Sequence, residues 1–257
     1  MKTLAPAAAE GPASTQVHKV FLILLDISGY TRFIKLHKLS LIHAEKIIDE
    51  LLEHAIAEVH APLVMQELEG DAVYFYALSD GTPEMALEVV RQVKSGLAAF
   101  KKREAELISE CEVCFCEACR TVGHLSMKAV VHHGEAVFTQ VRQFAKVSGE
   151  DVIIAHVLLK AAVKRREYVL VTESMRKLIG DREGPPAETR TEHCGELGPV
   201  NISVYYPPQP ESPVLPAKVS MAARLRMLLL VEWHLLKRFF MPASKRYRNL
   251  DAAQGPR

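Results

Sequence analysis

The chain has 257 residues, enough for one or two domains with a buried core. Its composition, 49% hydrophobic and 25% charged, excludes disorder throughout, and 32 basic against 31 acidic side chains lack the basic excess of a dedicated nucleic-acid binder. Five cysteines are too few for a secreted disulfide scaffold of this length, so a cytoplasmic protein is expected.

Residues 1–16, rich in Ala, Pro, Gly and Ser and without a long apolar run, read as a flexible leader rather than a signal peptide. Residues 20–25 are a continuous apolar run ending at Asp26, the length of a strand buried on both faces. Ser28-Gly29 marks a turn. Residues 39–60 carry Leu41, Ala44, Ile47, Ile48, Leu51, Leu52 and Ala55 at helical spacing, and Pro62 stops that helix. Residues 63–68 and 72–78 predict a hairpin around Glu69-Gly70-Asp71. Thr82 is placed to cap a helix that has Pro83 in its first turn and runs to about residue 110. Residues 125–133 and 136–139 predict a second hairpin turning at Gly134. A helix over 151–164, a strand over 168–172, a short helix over 174–179 and a last strand over 201–206 follow, before a proline-rich linker at 207–217. Hairpins interrupt the alternation of strands and helices, which makes the domain (17–206) α+β with a mostly antiparallel sheet.

Asp26 closes the first strand and Asp71 lies in the first hairpin. If those elements are neighbours, two carboxylates project at one sheet edge, and a divalent cation would relieve their repulsion, with a nucleotide phosphate completing its shell. The helix after Tyr30 would offer N–H groups to a phosphate. Taken singly, an Asp at such a boundary is more often a turn or cap residue.

The two contexts together carry a resemblance. Leu25-Asp26-Ile27-Ser28-Gly29-Tyr30-Thr31 resembles the first metal motif of the class III nucleotidyl (adenylate/guanylate) cyclases, and Gly70-Asp71-Ala72-Val73 the second. Residues 128–137 are similar to the family's later strand–Gly–strand segment, and residues 149–156 to the start of the helix that follows. More narrowly, Glu69-Gly70-Asp71-Ala72-Val73, a cysteine cluster and Ala155-His156-Val157-Leu158-Leu159-Lys160 resemble a bacterial family of unknown function (DUF2652) in that superfamily. The resemblance spans roughly residues 20–206 and implies a ferredoxin-like (βαββαβ) sandwich whose active site forms between two domains, hence a homodimer or a partner domain. It implies Asp26, Ile27 and Asp71 as ligands of Mg²⁺ or Mn²⁺, Ser28, Gly29, Tyr30 and Thr31 as the phosphate-binding segment, and a nucleoside triphosphate as partner.

The sequence departs from a working cyclase at four positions. Glu67 stands where the active family has a Lys that helps select adenine, and Lys146 where a base-reading Asp is common. These inverted charges would preserve an ion pair across the interface, or are two unrelated surface charges. Ile153 and Val157 fall where Asn and Arg orient ribose and stabilise phosphate charge. An apolar side chain donates no hydrogen bond, and loss of one such stabiliser costs roughly 100–1,000-fold in rate. Lys160, one turn beyond Val157, is the candidate substitute. The expected function is therefore a degenerate cyclase-like domain that binds nucleotide or metal in signalling and has little or no turnover. The alternative is an active divergent cyclase.

Cys111, Cys114, Cys116 and Cys119 are spaced C-x₂-C-x-C-x₂-C. Four thiolates would close a structural zinc site; an iron–sulfur cluster or a reduced thiol-rich loop are the other readings. A metal or redox sensor is thus a second alternative function. Residues 218–248 hold eight Lys or Arg against the single acid Glu232, in a basic amphipathic helical pattern that closes the chain (218–257). That segment either packs on protein or makes peripheral contact with an anionic membrane.

Overall fold

The computed structural model describes residues 16–36, 41–110 and 121–208. The leader, the cysteine cluster and the basic C-terminal helix, all expected from the sequence, lie outside them.

The first strand, β1 (Val17–Ser28), is the axis of the fold. Residues 20–25 are each no more than 1% exposed. Side chains alternate across a strand, so a run apolar at every position needs cover on both faces. Phe21, Ile23, Leu25 and Ile27 enter one core, while Val20, Leu22 and Leu24 enter a second core on the opposite face. The first core is closed by α1 (Tyr30–Leu36), α2 (Leu41–Ala57) and α3 (Pro83–Glu110). Thr82 caps α3 as expected, its hydroxyl accepting the Met85 N–H at 3.3 Å.

β1 lies between β3 (Ala72–Leu78) and β4 (Ser126–Val141), antiparallel to both, and β2 (Val64–Glu69) pairs with β3 on the edge. Two-helix and one-helix crossovers thus lead from β1 to β2 and from β3 to β4, which is the ferredoxin-like βαββαβ core with spatial order β2-β3-β1-β4. Past β4 the sheet continues through β6 (Tyr168–Thr172), β8 (Pro199–Tyr205) and the edge strand β7 (Glu188–His193), while β5 (Phe144–Ser148) pairs back on β4. The helix α4 (Glu150–Leu158) covers the second face with Val152, Ala155 and Leu158, and α5 (Glu173–Ile179) returns to the first with Met175 and Ile179.

Two expectations are corrected. The hairpin at Gly134 does not form: β4 runs straight through that residue because β1 needs a partner along its whole length, with Val20 opposite Gly134 in the register. The reversal comes eight residues later, where Arg142 takes a positive φ of 56° between β4 and β5. The helix expected over 151–164 stops at Leu158, where the chain tightens into Lys160 N–H to Val157 and Ala161 N–H to Leu158 bonds and turns toward β6. The strand β7 escaped the sequence pattern because it has no apolar face. Its Arg190 lies between Glu188 and Glu192, 2.6 Å from each carboxylate.

A carboxylate pair beneath a short helix

The register of β1 sets the site. Asp26 shares the face of Leu22 and Leu24, and sits directly opposite Ala72 on β3 and Lys128 on β4. The β2–β3 turn is only Gly70-Asp71, with Glu69 paired to Ala72 and Gly70 at φ 59°, a backbone setting that glycine adopts without strain. The Ile27 N–H donates to the Asp71 carbonyl at 3.2 Å, which ties that turn to the end of β1. The two aspartates predicted from the sequence are thereby brought together. Burial, then the Asp26 charge and a hydrogen bond shared with Asp26, push the Asp71 carboxyl up to about 7, against the lowering pull of its own backbone and Lys128.

Asp71 opens into a cavity of about 550 Å³ between the β2–β3 hairpin and α4. Glu67, Tyr74, Ile153, His156, Val157 and Lys160 share its wall. Ile153 and Val157 are 55% and 37% exposed, unusual for aliphatic side chains on a packed helix. The structure therefore gathers three of the four altered positions and the substitute lysine. Lys146, opposite Thr139 on the β4–β5 hairpin, is exposed and forms no ion pair with Glu67 within the chain. Beside them, the Gln66 side-chain amide donates to the Ala145 carbonyl at 3.0 Å.

Tyr74 packs its ring against His156, with centroids 5.4 Å apart. Its hydroxyl is buried without a partner among the described residues, and burial pushes the phenol up. Tyr74→Phe removes an unsatisfied group and should raise stability by about 1 kcal/mol, read from the urea midpoint. In the predicted phosphate segment, Gly29 has φ 98°, the Ser28 hydroxyl donates to the Arg166 carbonyl at 3.0 Å, and the Tyr30 hydroxyl donates to Glu45 at 3.2 Å. Thr31 is exposed in the first turn of α1.

Two features were missed in the sequence. Lys128 places its ammonium 2.9 Å from Asp26 Oδ2 and donates to the Leu159 carbonyl at 2.9 Å. His132, 4% exposed, lies 2.8 Å through Nε2 from Asp151 Oδ1 and 2.9 Å through Nδ1 from the Thr172 hydroxyl. The other Asp151 oxygen accepts the Glu135 N–H at 2.6 Å, so this cluster pins the start of α4 to β4. Both involve residues far apart in sequence, and only the strand register reveals them.

The residues suit a divalent cation as half a shell. The donors are hard carboxylate oxygens, and their mutual repulsion is the kind a dication relieves. Among the described residues no group of three His, Cys, Asp or Glu converges. A larger cavity of about 990 Å³, between α3 and the end of β8, contains none of these residues. Among the described residues no helix is long and apolar enough to cross a membrane.

Comparison with known proteins bears on the fold. Residues 48–168 match the family described as "Protein of unknown function (DUF2652)". The uncharacterized protein Rv2561/Rv2562 of Mycobacterium tuberculosis is 32% identical over 137 residues, which are 50% of this chain and 62% of that protein; the match thus spans less than two thirds of the relative's length. The crystal structure of the guanylyl cyclase Cya2 superposes with a TM-score of 0.57 at 16% identity, over 77% of this chain and 96% of that one. A class III adenylyl cyclase-like ATP-binding protein from Pseudomonas aeruginosa superposes with a TM-score of 0.51 at 14% identity, over 65% of this chain and 36% of that one. The chain thus has the fold of the class III adenylyl and guanylyl cyclase domains, and over residues 48–168 it resembles the proteins of unknown function grouped as DUF2652.

Proposed function

We propose that this protein is a nucleotide-binding signalling domain of the cyclase fold with little or no cyclase turnover. One observation carries the reading: α4 presents Ile153 and Val157, exposed and apolar, to the cavity that holds Asp71. Cyclisation of a nucleoside triphosphate develops negative charge on phosphate, and these side chains donate nothing to it. Asp26 and Asp71 would hold Mg²⁺ or Mn²⁺, which supplies charge neutralisation to the phosphates when bound. The similarity to a cyclase-like protein described as ATP-binding agrees with binding in this fold. Glu67 on the same wall can only accept hydrogen bonds when ionised, and a guanine edge offers N–H donors that an adenine edge does not match. The triphosphate expected is therefore GTP. Met65, Leu68, Phe144 and Ile153, each at least half exposed, lie on the hairpins and helix around the cavity and would be covered by a second copy of the chain.

A second reading rests on Lys160, which lines the same cavity and would supply the missing positive charge to an active, divergent cyclase. One measurement separates the two. Purified protein is titrated with GTP and ATP in Mn²⁺, and cyclic product is followed in parallel. The proposal expects GTP binding that is lost in Asp71→Ala, without cyclic product. Product formation that disappears in both Asp71→Ala and Lys160→Ala would establish the second reading instead.

A further inference from the structure

We propose that Lys128 is a built-in counter-ion that excludes divalent metal from the bare carboxylate pair and makes metal uptake depend on an anionic ligand. The inference rests on the reading of Asp26 and Asp71 as cation ligands and adds a regulatory element to that site.

The geometry is specific. Asp26 and Lys128 are paired across β1 and β4 on the same face of the sheet, so the ammonium meets the carboxylate by register and not through a wandering side chain. Both side chains are more than four-fifths buried, at 17% and 18% exposure, so the 2.9 Å pair is poorly screened. The same ammonium donates to the Leu159 carbonyl, one of the carbonyls left without a helical partner where α4 ends. Lys128 therefore has two anchors, one on the metal-binding aspartate and one on the helix that carries the cavity wall.

Charge balance gives the consequence. With both carboxylates ionised, as at pH 8, two carboxylates and one ammonium leave a single negative charge, too little for a dication. A metal taking Asp26 must either share it with the ammonium at close range or drive Lys128 off both anchors. Either is disfavoured unless an anion arrives with the metal and restores the balance. A phosphate-bearing ligand does so, and the cavity beside Asp71 has room for one. Metal and polyphosphate should then bind with strong mutual enhancement, each tightening the other by the same factor.

The test uses the full chain, with Mn²⁺ as the metal and inorganic tripolyphosphate as the anion, free Mn²⁺ being counted by electron paramagnetic resonance. The wild type should bind Mn²⁺ weakly alone and about tenfold or more tightly with tripolyphosphate. Lys128→Met should bind Mn²⁺ alone about tenfold more tightly than the wild type and gain little from the anion. Lys128→Gln keeps a donor for the Leu159 carbonyl without the charge and should behave as the Met variant does, which separates the charge from any loosening of α4. Lys128→Arg should behave as the wild type. Should Lys128→Met and Lys128→Gln both bind bare Mn²⁺ no better than the wild type, while Asp71→Asn loses it, the counter-ion is ruled out and the cation site stands. Should none of the proteins bind Mn²⁺ with or without tripolyphosphate, the counter-ion and the cation site both fall.

Discussion

Gly134→Ala is expected to destabilise the domain by about 3 kcal/mol and lower its thermal midpoint by roughly 6–12 °C. A Cβ on Gly134 would fall on the Asp151 carboxylate, far inside van der Waals contact. That carboxylate cannot simply swing aside. It accepts the Glu135 N–H through one oxygen and faces His132 Nε2 through the other, and a carboxylate only accepts, so the imidazole carries the proton of that bond. Displacing Asp151 leaves a buried imidazole donor and a backbone N–H unpaired and frees the first turn of α4. Asp151→Ala removes the same hydrogen bonds but also makes room for the methyl group. The two substitutions should therefore be strongly sub-additive in a double-mutant cycle. Fully additive costs would mean that Gly134 matters for some other reason. The acid limb offers a second check. Burial alone would raise the Asp151 carboxyl, but the hydrogen bonds from His132 and Glu135 and the His132 charge outweigh it and hold it below the usual carboxylate range. A depressed carboxyl stabilises the folded state above the unfolded value and loses that contribution as pH falls through the folded one. The wild type should therefore lose stability below about pH 4 in a way that Asp151→Asn does not.

This cluster also shows where sequence reading reached its limit. His132 and His133 point to opposite faces, since side chains alternate along a strand. His132 faces Asp151, while His133 lies 3.1 Å from the Ser79 hydroxyl and against Phe21. What local pattern could not supply is register. Glycine between two apolar stretches reads as a turn, and Gly134 is instead a mid-strand position emptied for an aspartate seventeen residues away. The Asp26–Lys128 pair is equally hidden, because 102 residues separate partners that β1 and β4 align side by side. The motif aspartates were legible because each keeps a recognisable local setting: the end of an apolar strand for Asp26, and a glycine turn for Asp71. Ile153 and Val157 were legible by their distance from Gly149, and that they share a cavity wall with Glu67 and Asp71 follows only once α4 lies across the sheet. The highly charged β7 carries no periodic apolar signal at all, and its strand geometry comes from pairing with β8.

Asp71→Asn should make the metal-free protein more stable at pH 8 by about 1–2 kcal/mol, after allowance for solvent screening at a half-buried turn, while ending its response to metal and nucleotide. The folded-state carboxyl titrates near 7, raised first by burial and then by Asp26, whereas in the unfolded chain it titrates near 3.8. Below about pH 4 it is protonated in both states and carries no penalty. As pH rises from 4 to 7 the unfolded chain gives up the proton readily and the folded one resists, so wild-type stability falls across that window and stays low above it. Asparagine matches the protonated carboxyl in shape and has no proton to lose. The variant and the wild type should therefore have similar midpoints at pH 4 and separate progressively toward pH 7. Adding Mn²⁺ and GTP at pH 8 should reverse their order. A ligand present at 100–1,000 times its dissociation constant stabilises the protein it binds by about 3–4 kcal/mol, and only the wild type has the carboxylate to use it. If Asp71→Asn were instead the less stable protein at pH 8 without metal, the carboxylate would be paying for its own burial, and the idea of a site held in tension for a ligand would fail. The combination of higher resting stability and lost ligand response is the mark of a group placed for binding, because a purely structural aspartate would lose stability on substitution under every condition.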